Sequence, residues 1–311
     1  MPDAVHAAAV SGAAPAVGGR AVPAALAGRL AETPETLDDG AGLARRLAEQ
    51  GYLVLRGLLD REAVLAARRE VFGRLAEIGE IAEPSEAGRA TGRSRRTPDE
   101  PARGEFWRSV CEGRALRAVT HRGALAAACA ALLGRPVVPF DFLWLRTMLP
   151  GRASPLHFDH VYMNRGSTEV LTCWVPLGDV PVEAGPILFV EGSHRFADLV
   201  ALWRGLDVDR DPMPGSFPDD PVEFARQRGV RLLTADFAAG DVVVFGPFTL
   251  HGSCDNRLDG ERVRLSCDVR YQPAGDARDD RWFGDPPAGH RGTGYGGVNS
   301  AQPLGAAYIA R

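Results

Sequence analysis

The 311-residue sequence predicts a mainly β protein, a jelly roll of two sheets with N-terminal helices packed outside one of them. Before residue 134, apolar residues recur at the spacing of about 3.6 that is typical of helices. After Pro136 the spacing changes to two, in about eight short segments that Gly, Pro and Asp residues separate. A single series of eight such strands favours the jelly-roll architecture.

The N-terminal part is predicted to contain a tail and then helices. Residues 1–35 are rich in Ala, Gly and Pro, so we expect a disordered tail, followed by one domain over residues 36–311. A helical segment ends before Gly51, and a short strand follows it. Asp60 is expected to cap the next helix, and Gly134 to end the last helix before the strands.

The strands and two long connections complete the predicted fold. The strands are expected at residues 139–149, 155–163, 168–177, 187–190, 230–233, 241–246, 248–252 and 262–272. The connections at residues 84–106 and 204–224 are long and rich in turn-forming residues, and the first also carries several arginines. Long loops of this kind often cover active sites, so we predict that both act as lids.

Composition excludes several classes of protein. A formal net charge of −4 and a pI near 6.0 give no reason to expect nucleic acid or an anionic membrane as a partner. The five cysteines are scattered, without a Cys-x-x-Cys pair, which argues against a disulfide or zinc framework and favours a reducing cytoplasm. Neither a secretory signal nor an apolar run of transmembrane length is present. The sequence does not indicate the oligomeric state.

A His-x-Asp pair with a distant second histidine is the most informative motif. His157 and Asp159 lie in a predicted strand, where alternate side chains point to the same face, and His251 lies at a later strand. Two histidines and a carboxylate can form the facial triad of non-haem Fe(II) oxygenases, which leaves three positions open on the metal. The same three ligands also suit a catalytic zinc ion. A bare His-x-Asp pair is more often only a hydrogen-bonded histidine on a polar strand, so its context decides.

The last predicted strand carries a polar face with two arginines. Arg262, Arg264 and Ser266 alternate along it, and an arginine binds a carboxylate through two parallel hydrogen bonds. The strand period does not indicate which arginine holds the carboxylate. A clamp for an organic acid beside the metal favours an iron oxygenase with a carboxylic-acid cosubstrate over a zinc hydrolase.

The ordered set of motifs resembles the phytanoyl-CoA dioxygenase family from about residue 50 to 272. The motifs are Gly51-Tyr52-Leu53-Val54-Leu55-Arg56-Gly57, Leu156-His157-Phe158-Asp159, Cys173-Trp174-Val175-Pro176-Leu177-Gly178-Asp179, Glu183-Ala184-Gly185-Pro186, Glu191-Gly192-Ser193-His194 and His251-Gly252-Ser253 with Asn256. The resemblance implies a cupin-like double-stranded β-helix that uses Fe(II), 2-oxoglutarate and O2. It implies His157, Asp159 and His251 as iron ligands, and Arg262, eleven residues after His251, as the 2-oxoglutarate clamp. Many members have Gln where this chain has Phe158.

Further candidate residues lie on the neighbouring strands. We expect Arg146 or Thr172 to help hold 2-oxoglutarate or substrate, with buried hydrogen bonding as the alternative. Trp144, Tyr162 and Asn164 are candidates for contact with the substrate.

The expected reaction is hydroxylation of a C–H bond of a small molecule, a natural-product or amino-acid-like intermediate, with release of succinate and CO2. Related halogenases need an open position for chloride where the carboxylate of Asp159 stands, so oxygen insertion is favoured. An acyl-CoA substrate, desaturation and epimerisation stay open, because they use the same machinery. A zinc hydrolase and a non-catalytic binding barrel are the alternatives from other classes.

Overall fold

The computed structural model describes residues 12–96, 100–212, 217, 220–289, 303 and 304, with only the backbone for residues 100–103. The helices are α1 Gly40–Gln50, α2 Arg61–Glu77, α3 Glu100–Cys111, α4 Arg114–Thr120, α5 Gly123–Leu133, α6 Ala197–Arg204 and α7 Pro221–Arg228. The strands are β1 Ala16–Val17, β2 Arg20–Ala21, β3 Ala27–Arg29, β4 Tyr52–Leu55, β5 Val137–Pro139, β6 Trp144–Met148, β7 Leu171–Pro176, β8 Ile187–Val190, β9 Leu232–Thr234, β10 Val242–Phe245, β11 His251–Ser253 and β12 Arg264–Pro273.

Two sheets form the core of the fold. The larger sheet has the order β4-β10-β7-β12-β5, and β6 also pairs with β12. The smaller sheet has the order β11-β8-β9-β3, in which β3 runs parallel to β9 and the other pairs are antiparallel. Apolar side chains from both sheets meet in one cluster, for example Val243 and Phe245 with Phe189 and Leu233. The predicted jelly roll with flanking helices is confirmed.

Strands β4, β7, β10 and β12 of the larger sheet are buried on both faces. Leu171, Cys173 and Val175 of β7 point to the helices, whereas Trp174 points to the smaller sheet. The helical cluster contains residues of α1, α2, α4 and α5, so these helices cover the outer face of the sheet, as the sequence predicts. Strand β12 lies inside the larger sheet, with β7 on one side and β5 and β6 on the other. The inward face of β12 therefore lines the interior of the jelly roll.

Helix α2 shows how local sequence specifies one of these elements. The side chain of Asp60 accepts a hydrogen bond from the amide of Ala63 and caps the helix, as predicted. The buried residues Val64, Val71 and Leu75 follow at helical spacing and face the sheet.

The expectation of a disordered tail does not hold for residues 12–35. The residues before 12 lie outside the described part of the chain. Strand β3 pairs with β9, and Val17, Val22 and Leu30 are buried. Composition does not reveal this order, because the partner strand β9 lies about two hundred residues away along the chain.

The predicted strand at residues 139–149 is divided between β5 and β6, and two further predicted strands differ in their extent near the candidate site. Residues 155–163 form no continuous strand, since His157 makes a single bridge to His251 and Asp159–Tyr162 form a 3-10 turn. The final strand begins at Arg264 rather than at Arg262. Both differences affect the candidate site.

The described parts of the two predicted lids are anchored to the rest of the protein. In the first, Arg96 forms a buried ion pair with Glu80, and Glu100 begins α3, which disagrees with a simple mobile loop. In the second, Asp207 is buried and pairs with Arg165. Residues 97–99, 213–216, 218 and 219 lie outside the described residues. A role as lids stays a prediction.

No helix in the part of the chain that the structure describes is both long enough and apolar enough to cross a bilayer.

The buried position of Leu30 allows a direct test of the N-terminal segment. Leu30 is 2% exposed and packs between the sheets, whereas Leu202 on α6 is 63% exposed. We expect Leu30→Ala to lower the free energy of unfolding by about 2–4 kcal/mol, because it leaves a cavity. Leu202→Ala should change it by less than about 0.5 kcal/mol. Urea denaturation of both variants checks this, and equal stability of the two would contradict an ordered N-terminal segment.

Candidate active site

Three buried side chains, those of His157, Asp159 and His251, meet where the two sheets approach each other. One ligand atom from each lies within 4.8 Å of the others. The backbones of His157 and His251 hydrogen-bond to each other in both directions, with N···O distances of 2.8 and 3.2 Å. The 3-10 turn that begins at Asp159 then directs its carboxylate toward the two imidazole rings.

Backbone carbonyls fix the orientation of both histidine rings. Nδ1 of His157 lies 2.9 Å from the carbonyl oxygen of Pro155, and Nδ1 of His251 lies 2.9 Å from that of Thr249. A carbonyl oxygen only accepts, so Nδ1 is the donor in each ring and Nε2 carries the lone pair. The Nε2 atoms lie 3.7 and 3.9 Å from Oδ1 of Asp159. This is the hydrogen-bonding pattern of metal-ligating histidines.

Two side chains hold the carboxylate of Asp159. Thr172 on β7 donates its hydroxyl to Oδ2 at 2.6 Å. Nη2 of Arg270 on β12 lies 3.0 Å from Oδ2 and 3.1 Å from Oδ1. The guanidinium of Arg270 also lies over the ring of Trp144, 4.0 Å from its centroid.

The charges of the three side chains suit a divalent cation. Burial lowers the pKa of His157 well below its usual value, and burial likewise lowers the pKa of His251. Burial raises the pKa of Asp159, but Arg270, the two histidines and the Thr172 hydroxyl together hold it below its usual range. Two neutral imidazoles and one carboxylate therefore face one point, the donor set of the facial triad. The residues present fit a bound Fe(II) ion.

A small cavity adjoins the histidines, and Arg264 lines it. Arg264 is buried, and its Nη1 donates a hydrogen bond to the hydroxyl of Ser266 at 2.6 Å. Ser154, Ser253 and Trp174 line the same cavity. The cavity thus contains a guanidinium and hydroxyl groups beside the metal position, and these groups can donate hydrogen bonds to a carboxylate.

Arg146 and Asp268 form an ion pair in the wall of this cavity. Nε of Arg146 donates to Oδ2 of Asp268, and the two residues lie on the adjacent strands β6 and β12. Arg264 is a second guanidinium that lines the same cavity. Arg146 therefore lines the cavity, and its contact with 2-oxoglutarate or substrate stays a prediction.

Arg262 lies outside the cavity, contrary to the expectation from the family's usual spacing. It is exposed, and its Nε donates to the backbone oxygen of Asp259. Its backbone forms a bridge with Arg89 before β12 begins. Pairing of β12 with β6 and β7 begins later, so Arg264 is the first arginine of this strand inside the jelly roll.

The predicted substrate residues fall at different distances from the triad. Trp144 contacts Arg270, and Tyr162 packs edge-on against His157, with ring centroids 6.3 Å apart. Asn164 is more distant, since its side chain bonds the backbone oxygen of Leu206 and the guanidinium of Arg281. Thr172 contacts Asp159 directly.

Sequence reasoning missed Arg270 and Asp268. Both lie on the same alternating face of β12 as Arg264 and Ser266, and all four are buried. The period-two pattern could have drawn attention to them, since a polar residue at every second position of a central strand indicates an interior polar face.

The chain resembles known proteins over most of its length. The family described as phytanoyl-CoA dioxygenase matches residues 47–263. A 1-deoxypentalenic acid 11-beta-hydroxylase from Streptomyces arenae is 27% identical over 260 residues, 80% of this chain and 86% of that protein. A protein of the same name from Streptomyces exfoliatus is 26% identical over 264 residues, 78% of this chain and 84% of that protein.

A solved structure extends the comparison to bound groups. The epimerase SnoN in complex with Fe3+, alpha ketoglutarate and nogalamycin RO superposes with a TM-score of 0.51 at 25% identity, over 77% of this chain and 85% of that chain. The family match covers most of the chain, and the triad has the donor set of an iron site. The chain therefore belongs to the phytanoyl-CoA dioxygenase family and is an Fe(II)- and 2-oxoglutarate-dependent oxygenase.

Proposed function

We propose that this enzyme hydroxylates an unactivated C–H bond of a small natural-product intermediate, with His157, Asp159 and His251 as its iron ligands. The observation that carries the proposal is the convergence of these three buried donors beside a cavity that contains Arg264. When bound, Fe(II) and 2-oxoglutarate supply the chemistry, in which O2 oxidises 2-oxoglutarate to succinate and CO2 and inserts its second oxygen atom into the C–H bond.

The protein's own residues orient the reactants and exclude water. The carbonyls of Pro155 and Thr249 hold each histidine with Nε2 directed at the metal position. All three ligand side chains are buried, so the site is shielded from bulk solvent. Asp159 occupies the place that a halogenase keeps open for chloride, which supports oxygen insertion.

Arg264 is the proposed clamp for the distal carboxylate of 2-oxoglutarate. It is buried in the cavity wall, and the Ser266 hydroxyl orients its guanidinium. An arginine fork matches a carboxylate and discriminates against neutral molecules. The ion pair of Arg146 with Asp268 limits the net charge of the cavity, which favours one distal carboxylate over a more highly charged anion.

The hydroxylases that resemble this chain act on 1-deoxypentalenic acid, which supports a small organic acid or a related natural product as the substrate. An acyl-CoA would need clustered arginines for its phosphates. In the arginine-rich segment, Arg96 is buried against Glu80 and Arg89 bonds the backbone oxygen of Gly260. These contacts favour the smaller substrate.

Succinate release tests the proposed reaction. With Fe(II), 2-oxoglutarate and a panel of natural-product acids, we expect at least one compound to stimulate succinate formation and to gain one oxygen atom. Asp159→Ala should lower the rate by more than the roughly 10–100-fold that loss of an outer-shell partner costs, because it removes a metal ligand. Asp198→Ala, which alters an exposed ion pair, is the control and should retain the rate.

Unchanged succinate release by Asp159→Ala would refute the assignment of the triad. Hydrolysis of a substrate with Zn(II), without any need for 2-oxoglutarate, would instead support a hydrolase.

Arg264, which begins β12, and Arg262, which precedes it, can be distinguished by binding of 2-oxoglutarate to the Mn(II)-loaded protein. Arg264→Gln should weaken binding by about 2–4 kcal/mol, roughly 30- to 800-fold in Kd, because it removes a buried cation from its carboxylate. Arg262→Gln should leave Kd within about twofold, since exposed charges contribute little. Isothermal titration calorimetry measures both, and the reverse order of effects would assign the clamp to Arg262.

A further inference from the structure

Arg270 occupies a special position next to the triad. It is 1% exposed, lies on the inward face of β12, and contacts the carboxylate of Asp159. From this geometry we infer that Arg270 is a positioning residue, which together with Thr172 holds Asp159 as a ligand through Oδ1 alone. The inference rests on the proposed function, because it takes Asp159 as a metal ligand.

The two oxygens of Asp159 have different surroundings. Oδ2 accepts hydrogen bonds from Thr172 at 2.6 Å and from Arg270 at 3.0 Å. Oδ1 is the oxygen that faces Nε2 of both histidines, at 3.7 and 3.9 Å. Nη2 of Arg270 also lies 3.1 Å from Oδ1, so rotation of the carboxylate about its bond to Cβ would break the contact between Thr172 and Oδ2. Oδ1 therefore remains directed at the metal position.

Arg270 contacts its carboxylate differently from two other arginines of the chain. Arg96 uses Nε and Nη2 on the two oxygens of Glu80, and Arg165 uses the same two nitrogens on Asp207. Arg270 uses Nη2 alone, and its Nε and Nη1 are buried without a hydrogen-bond partner among the described residues. A two-nitrogen contact is the stronger arrangement of an arginine with a carboxylate, and Arg270 does not use it.

Trp144 explains why the guanidinium stays in this orientation. Its ring lies 4.0 Å below the guanidinium carbon, and Trp144 is the neighbour of Asp268 across the pair of β6 and β12. The backbone of β12 and the indole ring thus place Nη2 against Asp159, at the expense of the hydrogen bonds of the other two nitrogens. The arrangement therefore favours the contact of Nη2 with Asp159 over hydrogen bonds of Nε and Nη1.

Two effects of Arg270 on metal binding have opposite signs. Its positive charge repels a divalent cation, so charge alone predicts that loss of Arg270 strengthens metal binding. Its contact with Asp159 orients a ligand, so positioning predicts that loss of Arg270 weakens metal binding. We expect positioning to dominate, because Asp159 is buried and would retain only Thr172 as a side-chain hydrogen-bond donor among the described residues. The direction of the change distinguishes the two effects.

The experiment measures binding of Mn(II) and Co(II) alone to the metal-free protein, without 2-oxoglutarate or substrate. Arg270→Gln should weaken the metal Kd by about 10–100-fold, the usual cost of losing an outer-shell partner. Arg270→Lys should restore part of this affinity. Thr172→Val, which keeps the shape of the side chain, should weaken Kd by a smaller factor, and both Arg270→Gln and Thr172→Val should alter the visible absorption of the Co(II) protein.

Arg96→Gln is the matched control, because it breaks a buried arginine–carboxylate pair remote from the triad. It should lower the Tm but leave the metal Kd and the Co(II) spectrum unchanged. Unchanged or stronger metal binding by Arg270→Gln, or equal weakening by Arg96→Gln, would overturn the inference and leave the proposed function intact. If Arg270→Gln does not fold, an unchanged Kd and Co(II) spectrum in Thr172→Val would overturn it. Failure of the unaltered protein to bind metal would overturn both.

Discussion

The rest of the site depends on the need to give every charged side chain on the inward face of β12 a polar partner. This strand lies within the larger sheet, with helices on its outer side, so its polar side chains have little access to water. An unpaired charge in such a place costs several kcal/mol, and breaking a buried pair costs about 3–5 kcal/mol. Asp268 is paired with Arg146 and Arg270 with Asp159, while Arg264 bonds the Ser266 hydroxyl.

This constraint also fixes the register of the strand. A shift by one residue would turn the charged face toward the helices and the apolar face, which includes Leu265 and Val269, toward the cavity. Both consequences are costly, so folding and construction of the site require the same register. The interior polar face is therefore a structural feature of the sheet as well as a functional one.

The triad joins the two sheets. His251 begins β11 of the smaller sheet, whereas Thr172 and Arg270, which hold Asp159, belong to the larger sheet. The bridge between His157 and His251 connects the segment that carries Asp159 to the smaller sheet. A metal ion bound here would connect the segment that carries His157 and Asp159 to β11, so the geometry of the ligands depends on the packing of the sheets.

Most elements follow from local patterns. The apolar spacing of α2 and the alternation along β7 and β12 persist in the fold, because helices and strands expose their side chains at fixed periods. The N-terminal strands were missed because β3 gains its stability from β9, a pairing that composition does not encode. The 3-10 turn at Asp159 was missed for a similar reason, since alternation of residue types predicts a strand until tertiary contacts bend the chain.

By itself, the sequence determined the donor types of the site, the change of period at Pro136 and the motifs of the family. Those features depend on residue identity and order alone. Only the tertiary structure decided that Arg264 rather than Arg262 faces the cavity and that Arg270 contacts Asp159. The reason is physical: the side of a strand that an arginine occupies depends on where pairing with distant strands begins, and β6 and β7 set that point for β12.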